Sequence, residues 1–487
     1  MLAISLCRWL ASALLTTAFL GSVPALAADL PATPEGALKL RAFFAKYLPA
    51  AVEGSHPLLA VTPEGSDYLL AVDLSAVNDL IKETGSSYDP ATILYKLVEQ
   101  DDGRWRINLE QLPAIGFRAK DATGSAEIQN YHGAALIDPA IAWFLSGSSS
   151  ATKGVLKIAR AKLDQTIDFD NASAELATTV KDDESVSTSA KEEIVGVAAA
   201  AKGFGAKDEP INWSARIDKA LIEIGVDGLM SRKAFDLWSL VASHPARAEL
   251  IPHEADIKGL LKDIARPGLK IAERIEAQRT VVASAIGPVA LADVKYEIGA
   301  ANLGPQSSLR LGVAADGLSL PAGLAPANAA ALIPSKFDLA VAVKGFDLTA
   351  AASEAIADMR LTEDGPFLSD TDSAKVAAAL FSAGPLRIEI SPSHVVSPAL
   401  EIDFDGVVRY QENKASGSVT IHARGFDKAM AAVKGLDRDI QEKALPALAV
   451  AKGFAKTESD GALTWVVDVS EDRSITINGI PLGKAPD

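Results

Sequence analysis

The sequence predicts an α+β protein built mainly of antiparallel, twisted and elongated β-sheet, with short helices packed on one face. Apolar and polar residues alternate in many short runs, and Gly or Asn/Asp clusters separate these runs. Few segments have helical spacing. A strand, a glycine and a short alanine-rich segment also recur in that order, which predicts repeated strand–Gly–helix units.

The first segment has the features of a secretory signal peptide. Arg8 gives a short positive region, residues 9–20 are apolar and uncharged, and Ala25 and Ala27 are the small residues that a signal peptidase requires. We therefore expect residues 1–27 to be removed on export to the periplasm. A retained anchor helix stays open as the alternative.

Composition excludes several classes of function. The single cysteine, Cys7, lies in the predicted signal, so the exported chain has no thiol for a disulfide, a thiolate metal site or a nucleophile. The net charge of -16 disfavours binding to nucleic acid and to anionic membrane surfaces. No later stretch reaches the ~18 apolar residues of a spanning helix, so we expect a soluble protein with at most peripheral association with the inner membrane.

The length of 487 residues predicts two regions after the signal. We expect an N-terminal α+β region over 28–200 and a C-terminal repeated β-rich region over 201–487. The charged stretch 180–193 fits either a loop or a solvated hairpin. Helical spacing occurs over residues 36–48, 76–83, 91–99, 231–243 and 253–265. Alternation predicts strands over residues 211–217, 337–343, 386–390, 400–404, 418–422, 465–469 and 475–477.

A basic–Gly–Phe–Asp string occurs twice, each time between a predicted strand and a predicted helix. Its two copies are Lys344, Gly345, Phe346 and Asp347, and Arg424, Gly425, Phe426 and Asp427. Glycine permits the backbone reversal that ends the strand, and we expect the phenylalanine to lie under the turn. We expect the aspartate to cap the helix N-terminus. In the alternative interpretation, Lys344 and Arg424 bind an anionic group at the two helix N-termini.

Catalytic motifs are incomplete. Ser150 and Lys153 have the spacing of penicillin-recognising enzymes, but the two further elements of that family are missing. His253 and Glu254 begin like a zinc-protease helix, but Ile257 stands where the second histidine is required. We therefore expect no catalytic residue, metal ligand or cofactor, and a protein that is not an enzyme.

The C-terminal string "GALTWVVDVSEDRSITINGIPLG", residues 461–483, resembles bacterial envelope proteins of domain-of-unknown-function family 2125 and the related family of unknown function 945. In those families a strand pair closes with an Asn-Gly turn and a Pro-Leu, as Asn478-Gly479 and Pro481-Leu482 do here. The resemblance implies export and association with the cell envelope, and it implies no catalytic residues.

These observations favour a non-catalytic envelope protein that binds a lipid or another hydrophobic small molecule on an apolar sheet face. A scaffold or chaperone-like module that binds an envelope protein through exposed sheet edges is the second hypothesis. A hydrolase of unrecognised type is the third. An apolar cavity would favour the first hypothesis, open edges the second, and a polar pocket with a perturbed acid–base pair the third.

Overall fold

The computed structural model describes most of the chain that follows the predicted signal peptide, which itself lies outside the described residues together with Cys7. The described residues are 28–49, 57–205, 208–321, 323–324, 327–411 and 414–484. Strand predominates over helix, and the strands pair antiparallel. The predicted α+β class with a predominantly antiparallel sheet is therefore confirmed.

The chain divides into two compact units, here called unit 1 and unit 2. Unit 1 consists of Met1–Ile271 and Ala352–Val376, and unit 2 consists of Ala272–Ala351 and Ala377–Asp487. The boundary that we expected between residues 200 and 201 falls inside a strand of unit 1. The chain passes from unit 1 to unit 2, returns to unit 1 for one segment and then completes unit 2.

In unit 1, short strands come first along the chain and long strands follow them. They are β1 (Leu59–Glu64), β2 (Asp67–Asp73), β3 (Ser87–Tyr88), β4 (Thr92–Glu99), β5 (Trp105–Gln111), β6 (Ile115–Ala119), β7 (Ala122–Asp138), β8 (Trp143–Arg160), β9 (Leu163–Val180), β10 (Val186–Phe204) and β11 (Pro210–Leu229). They pair in the order β1–β2–β4–β5–β7–β8–β9–β10–β11. The short β6 pairs with the first residues of β7 and with β3.

The core of unit 1 includes a cluster under its first helix. The helices of this part of the chain are α1 (Pro34–Ala45), α2 (Asn78–Ile81), α3 (Ser231–Ser243), α4 (Arg247–Leu250) and α5 (Glu254–Ile264). Thr33 caps α1 by accepting the N–H of Gly36 at 2.9 Å, and Pro34 occupies the first turn, where no N–H is needed. Leu40 of α1 packs in one buried cluster with Leu97 and Trp105.

One predicted helix is wrong, and one open alternative is resolved. Residues 91–99 form strand β4, which pairs with β2 and β5. Strand-forming residues such as Ile93, Tyr95 and Val98 fit this central position, where cross-strand packing outweighs helical spacing. The stretch 180–193 is a hairpin, because β9 ends at Val180 and β10 begins at Val186. The other predicted helices and strands correspond to observed elements.

Unit 2 contains the second set of strands. They are β12 (Lys270–Ser284), which begins at the end of unit 1, β13 (Gly287–Ala301), β14 (Ser307–Asp316), β15 (Lys336–Phe346), β16 (Leu386–Val396), β17 (Glu401–Gln411), β18 (Lys414–Arg424), β19 (Lys456–Thr457), β20 (Leu463–Val469), β21 (Ser474–Ile477) and β22 (Ile480–Lys484). Strands β13 to β18 pair in sequence, followed by β20, β21 and β22. The remaining helices are α6 (Ala327–Ala330), α7 (Leu348–Asp358), α8 (Asp370–Leu380), α9 (Phe426–Val433) and α10 (Arg438–Phe454). Most residues of α7 and α8 belong to the segment Ala352–Val376 of unit 1.

The sheet of unit 2 has one apolar and one polar face. Residues directly opposite each other on paired antiparallel strands lie on the same face. One such row crosses β14, β15 and β16 as Leu309, Val343 and Ile388. A row on the other face contains His394 of β16 opposite Asp403 of β17. Helices α9 and α10 pack over the apolar face near β18 and β20.

Candidate functional site

The two Gly-Phe-Asp strings lie at equivalent strand ends. Gly345 and Gly425 have φ values of 85° and 81°, a backbone conformation that favours glycine. A Cβ atom would lie 2.4 Å from the carbonyl oxygen of Pro385 at Gly345, and 2.3 Å from that of Ala399 at Gly425. In both cases the glycine passes close to the chain just before the neighbouring strand begins. The repeated glycine therefore allows the same close backbone approach at both strand ends.

The phenylalanines and aspartates of the two strings differ. Phe346 is buried at the end of β15, and Asp347 caps α7 by accepting the N–H of Ala350 at 2.9 Å. Phe426 is already the first residue of α9, and it contacts the ring of Trp465 at 5.6 Å between centroids. The predicted cap at Asp427 is wrong. The helix begins one residue earlier in the second string, so the cap position is the glycine.

Asp427 instead forms an ion pair with Lys452 of α10. Replacing Asp347 by alanine is expected to lower the free energy of unfolding by about 0.5–2 kcal/mol, the usual cost of a lost N-cap. The matched change Asp427→Ala removes an exposed ion pair and is expected to cost less than about 1 kcal/mol. Urea unfolding of the two variants, followed by circular dichroism, measures both values. Equal costs would contradict this assignment of the caps.

The structure does not bring Lys344 and Arg424 together. Lys344 forms an ion pair with Glu389. Arg424 lies 3.4 Å from Asp403 and 3.5 Å from Asp460. Their strands, β15 and β18, are three strand spacings apart, about 14 Å. Each cation is therefore neutralised within the protein, and the two form no shared anion site.

Asn478 and Gly479 form the predicted turn, and the Asn478 side chain also binds neighbouring segments. They connect β21 to β22 with φ values of 50° and 80°, the signs that a two-residue hairpin loop requires. The Asn478 side chain accepts the N–H of Val466 at 2.9 Å. Its amide group donates to the carbonyl oxygens of Phe454 at 2.8 Å and Thr464 at 2.9 Å. This one residue ties the end of α10 to β20.

An apolar pocket lies between the sheet and the helices in unit 2. It has a volume of about 270 Å³. Its walls come from β17, β18, β20 and β21, from the residue before β17, and from the start of α9 and the end of α10. The lining residues are Leu400, Ile402, Ile421, Ala423, Phe426, Ala451, Trp465, Val467 and Ile477. None of them has a polar or ionisable side chain except for the indole N–H of Trp465.

That indole N–H is already used. Trp465 donates it to the carbonyl oxygen of Ala451 at 2.7 Å, which fixes the end of α10 over the sheet. Asn478 holds the last residue of the same helix, and Asp427 pairs with Lys452 beside it. The pocket wall is therefore held by hydrogen bonds and an ion pair, while its interior offers only apolar surface.

The apolar face continues beyond the pocket. On β16 and β17, Ile388 lies opposite Val408, which is on the same face of β17 as Ile402 in the pocket. Further along, on β13 to β15, large apolar side chains of this face are exposed. They are Ile298, Leu309, Leu311 and Leu339. Large contiguous apolar patches on a protein surface are a feature of interaction sites.

The opposite face carries ion pairs and one cluster of metal-binding residue types. Nδ1 of His394 lies 2.6 Å from a carboxylate oxygen of Asp403, and ligand atoms of these two and of Glu401 all lie within 4.8 Å. Arg424 is within 3.8 Å of Glu401 as well as close to Asp403, so one cation already offsets part of the negative charge of these carboxylates. These three are the residues of the described part that could hold a metal ion.

Together these features define an α+β protein with a pre-formed apolar pocket on an antiparallel sheet. No protein-family model matches the chain, and no curated protein or solved structure matches it. Within the residues that the structure describes, no helix is long and apolar enough to cross a membrane. The sequence indicated the Gly-Phe-Asp junctions but not the pocket, whose walls come from segments up to 77 residues apart (477 − 400).

Proposed function

We propose that unit 2 binds the apolar part of a lipid or another hydrophobic small molecule and performs no covalent chemistry on it. The pocket with its apolar lining is the observation that carries this proposal. Its volume of about 270 Å³ exceeds the ~150 Å³ of an apolar cavity that accepts benzene and approaches the ~300–1,000 Å³ of typical ligand sites. A short apolar group, or the end of a longer chain, fits this space.

The exposed apolar face supports a longer ligand than the pocket alone would hold. From β14 to β20 there are five strand spacings, about 24 Å, along which a chain leaving the pocket would cover exposed residues such as Leu309 and Leu311. Each methylene removed from water contributes about 0.8 kcal/mol before association costs are subtracted. The head group would remain in water, and the net charge of -16 disfavours a strongly anionic one.

The place of action belongs to the same proposal. The predicted signal peptide and the resemblance to envelope families support export to the periplasm, where a lipid-binding protein would meet its ligand. Peripheral association with the inner membrane is consistent with both. Membership in the family resembled by residues 461–483 is part of this proposal.

Filling the pocket tests the proposal. Ala451→Phe adds a ring to the pocket wall and leaves the carbonyl group that Trp465 binds in place. We expect its affinity for a fluorescent fatty-acid probe to fall on the order of tenfold to a hundredfold, because the ring displaces two or more methylenes of the ligand. Displacement titration of the probe with unlabelled lipid measures the effect.

Ala447→Phe is the matched control, because this exposed alanine lies on the same helix and does not line the pocket. It should bind the probe like the natural protein. Equal affinity of both variants, or absence of saturable probe binding to the natural protein, would contradict the proposal. Mass spectrometry of an organic extract of the native protein would then identify any bound ligand.

A scaffold is the second candidate, favoured by the edge strand β22. All five residues of Ile480–Lys484 are exposed, including the large apolar side chains of Ile480 and Leu482. An exposed edge of this kind can accept a strand from a partner protein. If the probe experiments fail, replacing Ile480 and Leu482 by lysine should abolish capture of envelope proteins by the exported chain.

A further inference from the structure

Arg247 in unit 1 is an arginine that pairs with no carboxylate of the described residues. It opens the short helix α4, and its Nη1 donates to the carbonyl oxygen of Gly365 at 2.8 Å. The ring of Phe367 covers one side of the guanidinium group, with its centroid 4.3 Å from Cζ. Gly365 and Phe367 belong to the loop between α7 and α8, so this loop lies against the guanidinium group.

The other donors of Arg247 are buried and unused. Nε and Nη2 are inaccessible to solvent and have no hydrogen-bond partner within the part of the chain that the structure describes. Burying a donor of a charged group without an acceptor costs free energy, and burying an unpaired charge costs more. The cation–π contact with Phe367 offsets part of this cost, but it cannot accept these N–H groups.

The geometry of the unused donors is informative. Nε–H and Nη2–H point in parallel along one edge of the planar guanidinium group, and this fork matches the two oxygens of a carboxylate. The nearest acidic side chains in the sequence are engaged. Glu249 accepts the N–H of Ala246, and Glu254 pairs with Lys258 and accepts the N–H of Leu361.

We propose that Arg247 binds the carboxylate group of a small organic acid. A monoanion neutralises the single positive charge of this half-buried side chain, whereas a phosphate dianion would leave an excess negative charge in the same place. Phe367 is 51% exposed, so its ring can move away from the guanidinium group without loss of core packing. This site lies in unit 1 and does not depend on the pocket of unit 2.

Acetate is the probe for this site, titrated into the full-length protein by calorimetry, with inorganic phosphate as the comparison. We expect one acetate per chain and weaker binding of phosphate. Arg247→Lys should bind acetate at least about tenfold more weakly, because an ammonium group keeps the charge and lacks the fork. Arg360→Lys, an exposed arginine of the same loop, is the matched control and should bind like the natural protein.

Phe367→Ala removes the cover and keeps every donor, so it should retain binding even if Arg247→Lys fails to fold. In the natural protein, the ¹⁵Nε resonance of Arg247 should shift on addition of acetate. The proposal is overturned if neither the natural protein nor Phe367→Ala binds acetate saturably, or if Arg247→Lys binds it equally well. It is also overturned if phosphate binds more tightly, or if Asp364→Asn moves the resonance without acetate, which would identify a carboxylate of the loop as the occupant.

Discussion

Replacing Glu192 by glutamine is expected to stabilise the protein above pH 8 and to leave its stability at pH 5 almost unchanged. Glu192 is 3% exposed and lies on β10 opposite Ala174 and Ile222, which are both buried. Its Oε2 has no hydrogen-bond partner among the residues that the structure describes. Burial in this apolar row raises the pKa of Glu192 from 4.5 to about 8.

The direction of the pH effect follows from proton binding. Between pH 4.5 and 8 the folded protein keeps the proton on Glu192, while the unfolded chain loses it. The folded state therefore binds more protons in this range, and stability falls as the pH rises. A shift from 4.5 to about 8 corresponds to a loss of about 5 kcal/mol once the pH exceeds 8. Glutamine resembles the protonated side chain and removes this loss.

A small cavity lies beside the Glu192 side chain. A cavity of about 10 Å³ borders Glu192, Tyr131 and Ser149 and has the size of one water molecule. Burial also raises the pKa of Tyr131 to about 12. Both groups are therefore uncharged near neutral pH, and none of the described residues that line this cavity is a cation that would stabilise ionised Glu192.

Urea unfolding of the natural protein and of Glu192→Gln from pH 5 to pH 9 measures the difference. The control is Glu193→Gln, on the opposite face of the same strand, where Glu193 pairs with Lys219 at 2.8 Å and is partly exposed. The control should change stability by less than about 1 kcal/mol at any pH. Parallel pH profiles of the natural protein and Glu192→Gln would show that Glu192 is not buried as described.

The long strands of unit 1 show why alternation of apolar and polar residues predicts only some of the strands. The sequence signal was strongest after residue 200, yet β7 to β10 all begin before it. On these strands the buried positions are often alanine, as at Ala172, Ala174 and Ala199. Alanine has little apolar surface, so alternation between alanine and small polar residues gives a weak signal. Burial of small residues becomes evident only when neighbouring strands are in register.

The Gly-Phe-Asp strings show a second limit of prediction from the sequence. The sequence predicted both glycine turns, because positive φ is a local requirement of the backbone. It could not tell that Asp347 would cap a helix and Asp427 would not, since this depends on where each helix begins. The pocket, the Arg247 contact and the partners of Asn478 depend on chain segments that meet only in the folded protein.

Replacing Gly345 or Gly425 by valine is expected to have the other large effect. A β-branched residue at φ near 80° is strained, and the new Cβ would overlap a backbone oxygen at 2.4 Å or 2.3 Å. The backbone strain and the steric overlap together should lower the free energy of unfolding by roughly 3–5 kcal/mol. Neither oxygen can move without displacing the start of β16 or β17, because it belongs to the main chain.

Gly461 is a control that separates the two causes of destabilisation, namely the strained backbone conformation and the overlap with a backbone oxygen. Its φ is 82°, but a Cβ atom there would meet no atom of the described residues within 4 Å. Gly461→Val should therefore lower the free energy of unfolding by only about 1–2 kcal/mol. In thermal melts its Tm should lie well above those of Gly345→Val and Gly425→Val. The difference should amount to several degrees in Tm for a unit of this size. If the three variants melt alike, the close approach to Pro385 and Ala399 does not constrain the fold. If Gly345→Val and Gly425→Val melt normally but lose ligand binding, the strings act as a binding site.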